Sequence, residues 1–213
     1  MNKLQEQSLQ AKDVRYVTEI IDDGFAEDSA NHAKTQAMIG ELLSRSNQPE
    51  AKTPQFTFGG IKMNRDYYNL FVIGGDKFNG GSFTISKTRA LTTSIEPDVK
   101  KQFFNLRNDR VVERIMSLPS LFMNENIDFM RARPGQKVFF GRVTDLIIEP
   151  NDIRISFEAD IQIFQQSITD ISHRVGIIGN PGCSELNNTH WTIKRADLMK
   201  LLTEAGLLAS PSN

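Results

Sequence analysis

The densest set of side chains able to do chemistry lies between positions 185 and 197: Glu185, Asn188, Thr189, His190, Trp191, Lys194 and Asp197. A histidine titrates near neutrality, so His190 could act as a general acid or base. Such a base needs an orienting partner, and Glu185 or Asp197 could supply one. A nucleophile is less obvious, since Thr189 and Cys183 are near only in sequence. Trp191 is the single tryptophan, and such a ring normally anchors a core or an interface. Two readings stand side by side. One is a catalytic group of His190, Glu185 and Asp197. The other, which is favoured, is a structural His/Trp pair in which Trp191 is the anchor and ties the last helix to a sheet.

A second candidate is RARPGQKVFFGR (131–142), where Arg131, Arg133, Lys137 and Arg142 are uninterrupted by an acid. On a strand, Phe139 faces opposite to Val138 and Phe140. Single-stranded nucleic acid is held by this combination, charge for the backbone and a ring for base stacking. A solvated or partner-facing strand is the weightier reading of these five residues. A third candidate is acidic. Glu158 and Asp160 share one face at period two, with Asp145 and Glu149 nearby, and a nuclease needs carboxylates converging on a metal. That face is the polar one of a half-buried strand, so a solvated surface is expected. The run GGDKFNGG (74–81) resembles a phosphate loop only in its glycines. It leads into a β-like segment rather than a helix, so a turn is expected. The one cysteine, Cys183, and the scattered His32, His173 and His190 give no metal-ligand spacing. Neither a metal nor a cofactor is expected.

The element that must position these groups is a long hairpin, 137–164. In IRISFEADIQIF, Ile153, Ile155, Phe157, Ala159, Ile161 and Ile163 alternate with polar residues, the period of a half-buried strand. In KVFFGRVTDLII, Val143 falls out of step after Gly141, which predicts a bulge or bend. Pro150, Asn151 and Asp152 supply the turn. Before the hairpin, QFTF (55–58), YYNLFVI (67–73) and SFTISKT (82–88) read as strands. Residues 94–117 read as helix, with Pro97 in its first turn and a break at Asn108 and Asp109. SLFMNENIDFM (120–130) reads as an irregular or short helical connection plugging the core. After the hairpin come a short helix or turn (165–174), a short buried strand VGII (175–178) and a loop (180–188). The last helix carries Leu198, Leu201, Leu202 and Ala205, with Gly206 as its C-terminal stop. At the other end, 4–22 and 29–43 read as two acidic helices, and 44–53 as a polar linker. The expected domains are a helical arm, 1–50, and a β-rich domain, 54–213.

The 213-residue chain is 39% hydrophobic and 24% charged, ordinary for a globular protein with a real core. No apolar run is long enough to cross a membrane or to serve as a secretion signal. With one cysteine, that points to the cytoplasm and to no membrane partner. The net charge of −1 conceals segregation: residues 100–142 hold nine basic against four acidic residues, whereas residues 1–50 hold five against nine. A basic middle between acidic ends suits a polyanion, or ends that pack on the middle.

The tail ELNNTHWTIKRADL (185–198) resembles a stretch of uncharacterised bacterial proteins, in which a segment similar to GRVTDLIIEPNDIRISFEADIQI (141–163) precedes it. The resemblance covers about the last 90 residues. It implies a small β-rich accessory domain of the kind encoded near antiviral defence genes, and no particular reaction. The expected fold is α+β: the helical arm, a β-rich body forming a small barrel or a twisted antiparallel sheet, and a C-terminal helix. The expected function is a non-enzymatic binding or scaffold subunit of a bacterial cytoplasmic assembly. Another protein subunit would dock through the N-terminal helices, or the chain would pair with itself. A nucleic-acid-binding module using 100–142 is the first alternative. A small nuclease or nucleotide-processing hydrolase is the second.

Overall fold

A computed structural model describes residues 57–209, apart from 59, 80, 93 and 181. The expected helical arm therefore lies outside the described residues. Ten strands are present among them: β1 (Thr57–Phe58), β2 (Ile61–Lys62), β3 (Tyr68–Val72), β4 (Ser82–Ser86), β5 (Pro119–Met123), β6 (Lys137–Ile148), β7 (Asp152–Phe164), β8 (Gly179–Asn180), β9 (Cys183–Ser184) and β10 (His190–Lys194). The α-helices are α1 (Pro97–Phe103), α2 (Asp109–Met116), α3 (Gln165–Asp170) and α4 (Leu198–Glu204). Six strands form one curled, half-barrel sheet in the order β10-β3-β5-β6-β7-β4. It is a mixed α+β fold. β3 and β5 run parallel, and every other neighbouring pair in this sheet is antiparallel. No helix among the described residues is long and apolar enough to cross a membrane.

The sheet is covered on both faces, because its strands alternate side chains between two apolar layers. Tyr68, Leu70, Val72, Leu121 and Met123 join one layer, capped by Ile168 of α3 and by Leu198 and Leu202 of α4. Phe71, Ile73, Phe122, Trp191 and Ile193 join the other, capped by Val99 and Phe103 of α1 and by Ile115 of α2. The second layer is aromatic: Phe71 stacks on Phe122 at 5.1 Å and on Trp191 at 5.2 Å between ring centroids. Offset or tilted rings at such separations add to the stabilisation from burial.

The 137–164 hairpin is present, and it contains two irregularities. Phe140 pairs with Ile161 but Gly141 with Ala159, so Asp160 is extra; Val143 pairs with Phe157 but Asp145 with Ser156, so Thr144 is extra. Each extra residue switches the face that following side chains take. Val138, Phe140 and Ile163 lie in the first layer, while Val143, Leu146, Ile153, Ile155 and Phe157 lie in the second. The single inward face expected for 153–163 is thus divided between two cores at Asp160. Gly141 makes this possible. A Cβ there would lie 1.9 Å from the Glu158 carbonyl oxygen, a contact no side chain tolerates.

Three expectations are corrected. SLFM is no connection but a central strand, β5, paired with β3 and β6. It is buried throughout, so it lacks the alternation that marks a half-exposed strand. VGII is not a strand: Gly176 takes φ +73° in a turn leading out of α3. HWTIK, read only as a lead-in to the last helix, is the edge strand β10. Elsewhere the helix break falls where Asn108 and Asp109 suggest, with Asn108 Oδ1 accepting the Arg110 N–H at the start of α2.

Candidate functional site

Strand directions bring several loops to one rim of the sheet. β3 and β5 end there, at Gly74 and Asn124, while β6 and β10 begin there and β7 runs out into Gln165. The opposite rim carries the hairpin turn 149–152, where the Glu149 N–H donates to the Asp152 carbonyl.

Glu185 opens a one-turn 3-10 helix, Glu185–Asn187, whose start is capped by Ser184 in a capping box. The turn points its carboxylate inward, where the side chain is 3% exposed. Oε1 accepts the Lys194 ammonium at 2.7 Å and the Ile178 N–H at 2.5 Å. Burial alone pushes this carboxyl up. His190, the Lys194 ammonium and the Ile178 N–H outweigh it and hold the group below its usual range. Glu185 in turn, after burial itself, raises the Tyr68 phenol well above its ordinary value. Tyr68 donates its hydroxyl to the Val175 carbonyl at 2.8 Å.

His190 is 4% exposed. Its Nδ1 lies 2.8 Å from the Asn188 carbonyl oxygen. A carbonyl only accepts, so Nδ1 carries the proton. Nε2 then faces Glu185 Oε2 at 3.5 Å, and neither atom makes a hydrogen bond among the described residues. The contact is attractive when Nε2 is also protonated. Lys194 Nζ and Thr192 Oγ1 both donate to the Ser94 carbonyl, at 2.8 and 3.0 Å. A cavity of about 350 Å³ opens beside this cluster, lined by Ser94, Ile178, Cys183, Asn188 and Thr189 among others.

Glu185 and His190 are thus brought together and Asp197 is not. Asp197 sits beyond the far end of β10, where it accepts Lys200 N–H at the start of α4 and pairs with Arg65 at 2.5 Å. Lys194, not Asp197, is the third charged member of the cluster, paired with Glu185. Among the described residues no hydroxyl or thiol is hydrogen-bonded to His190. Thr189 Oγ1 donates to Glu125 Oε1 at 2.6 Å and accepts the Gly74 N–H at 2.9 Å. Cys183 is exposed. Chemically the cluster holds buried charges of both signs. Trp191 is fully buried, and its Nε1 donates to Asn69 Oδ1 at 3.2 Å.

The basic candidates separate. Arg131 and Arg133 are exposed at the rim, and Arg131 pairs with Asp128 at 3.2 Å. Lys137 Nζ sits 3.1 Å from the centroid of the Phe164 ring. Phe139 turns toward the aromatic layer, 5.9 Å from Phe78. Arg142 is 9% exposed and pairs with Glu158 at 3.0 Å. That pair also occupies one of the hairpin carboxylates, and Asp160 lies in the bulge. Among the described residues no group of three or more His, Cys, Asp and Glu side chains is placed to hold a metal.

Sequence reasoning missed an amide network at the same rim. Gln165 Nε2 donates to the Asn124 carbonyl at 2.7 Å and to Asn126 Oδ1 at 2.8 Å, while Gln136 Nε2 donates to Gln165 Oε1 at 3.0 Å. The signal was the Asn124-Glu125-Asn126 triplet set inside an apolar stretch, since polar groups in such surroundings need partners. No protein-family model matches the chain, and no curated protein or solved structure matches it either.

Proposed function

We propose that this chain is a binding subunit of a larger cytoplasmic assembly and that it presents the rim where β3 and β5 end to its partner. One observation carries the reading. Ile127, Phe129 and Ile178 are 44%, 38% and 57% exposed, and the Phe129 ring lies against Gly179, 3.3 Å from where a Cβ would stand. Large apolar side chains gathered on one surface mark interaction sites. Arg131 and Arg133 flank them, and arginine and aromatic residues are enriched in interfaces. The buried charges add support, since Glu185 and Lys194 pair with each other and Arg142 pairs with Glu158.

The test is recovery of cross-linked partners from cells by the full chain and by a Phe129→Ser, Ile178→Ser variant whose fold is checked by circular dichroism. The reading predicts loss of a defined set of partners, or of self-association measured by light scattering. Equal recovery by both forms counts against it.

A second reading has its own support. Phe164 is 57% exposed beneath Lys137, a ring and a cation on the same rim as Arg131 and Arg133. A single-stranded nucleic acid platform would stack on Phe164 rather than on Phe139. Its affinity for labelled oligonucleotides would fall steeply with salt, and absence of binding at low salt would end it.

A further inference from the structure

A second cavity, of about 540 Å³, opens on the same rim between Gly74, Glu125 and Arg133. Its size is that of ordinary small-molecule sites. Its walls carry one anion and one cation that do not pair. Among the described residues the Arg133 guanidinium makes no ion pair or hydrogen bond; only its backbone is used, the N–H donating to Gln136 Oε1 at 2.9 Å and the carbonyl accepting the Gln136 N–H at 3.0 Å. Among the described residues the Glu125 carboxylate has no basic partner either. Thr189 holds Oε1, and Oε2 has no hydrogen bond among the described residues. The carboxylate lies so close to the Gly74 backbone that a Cβ there would stand 3.0 Å from it. Gln136 fixes the spacing of the two groups, since its Nε2 also donates to the Glu125 carbonyl at 3.1 Å. Opposite charges on one cavity wall, each held by its own backbone anchor, match a ligand that bears both signs.

We propose that this cavity binds a small zwitterion of the amino-acid class, its carboxylate on Arg133 and its ammonium on Glu125. The guanidinium fork suits a carboxylate through two parallel hydrogen bonds. The second Glu125 oxygen suits an ammonium donor. The site shares the rim and Arg133 with the partner surface but uses none of Ile127, Phe129 and Ile178, so its failure would leave the reading above untouched.

The experiment is calorimetric titration of the full chain with the free amino acids and with their N-acetyl and carboxamide derivatives. At least one free amino acid is expected to bind saturably below about 10 mM, a weak-binding limit. Its N-acetyl form, which lacks the ammonium, and its amide, which lacks the carboxylate, should each bind at least about tenfold more weakly. Arg133→Ala and Glu125→Gln should each abolish binding, and Lys62→Ala, at an exposed lysine outside the cavity, should not. Circular dichroism confirms that the variants fold. Absence of binding by every free amino acid overturns the proposal, as does equal binding of the blocked derivatives or binding that survives both cavity variants.

Discussion

β10 carries two buried polar clusters on its opposite faces, and they are built on opposite principles. On one face Trp191 meets Asn69, whose Nδ2 donates to the Ile115 carbonyl and to Ser120 Oγ, both at 3.1 Å. Every group in that knot is neutral and partnered. On the other face Glu185, Lys194 and His190 form a charged cluster in which Glu185 Oε2 and His190 Nε2 lack hydrogen bonds. The neutral knot can contribute only rigidity and stability. The charged cluster makes stability depend on proton concentration and depends itself on each member being present.

The largest expected effect comes from dividing the charged pair. Lys194→Met should leave the Glu185 carboxylate buried without a counter-charge and cost about 3–5 kcal/mol, measured by urea unfolding. Adding Glu185→Gln to that variant should restore most of the loss, because the uncompensated charge disappears. Asn69→Leu, in the neutral knot, should cost about 1–3 kcal/mol for the indole N–H left unpaired. Equal losses that persist in the double variant would erase the distinction between the two faces.

Acidification should separate the faces further. The Glu185 carboxyl is held below its usual range in the folded protein. The unfolded chain therefore takes up this proton at higher pH than the folded one. The stabilisation is complete above the ordinary carboxylate range and is lost as pH falls through the folded value. Thermal midpoints of Glu185→Gln should fall less on acidification than those of the unaltered protein, while Asn69→Leu should fall in parallel with it. The smallest effect is expected from Asp128→Asn. Its pair with Arg131 is exposed on both sides, so the loss should stay under about 1 kcal/mol.

The two faces also differ in how far they could be read from residue order. Glu185 and His190 are five positions apart, so a local polar cluster was visible before any fold was known. Asp197 looked equally suitable. However, β10 is extended, and its five residues from His190 to Lys194 alone cover about 13 Å, which carries Asp197 to the opposite rim. Trp191 was legible as an anchor by type, but its partner Asn69 comes from β3, 122 positions away. The hairpin was legible because half its residues face water or polar neighbours. β5 was not, because it is covered on both faces and shows no alternation. β10 hid for a different reason: His190, Thr192 and Lys194 are polar yet buried, answering Glu185 and the Ser94 carbonyl rather than solvent. Glu125 and Arg133 were out of reach because only the parallel run of β3 and β5 brings Gly74 beside them.

The displaced Asp160 has a mechanical meaning for the whole described body. Because the hairpin crosses from one apolar layer to the other at that point, its two long strands are shared by both. Neither layer can melt while the other stays folded, so heat or denaturant should take them apart in a single cooperative step.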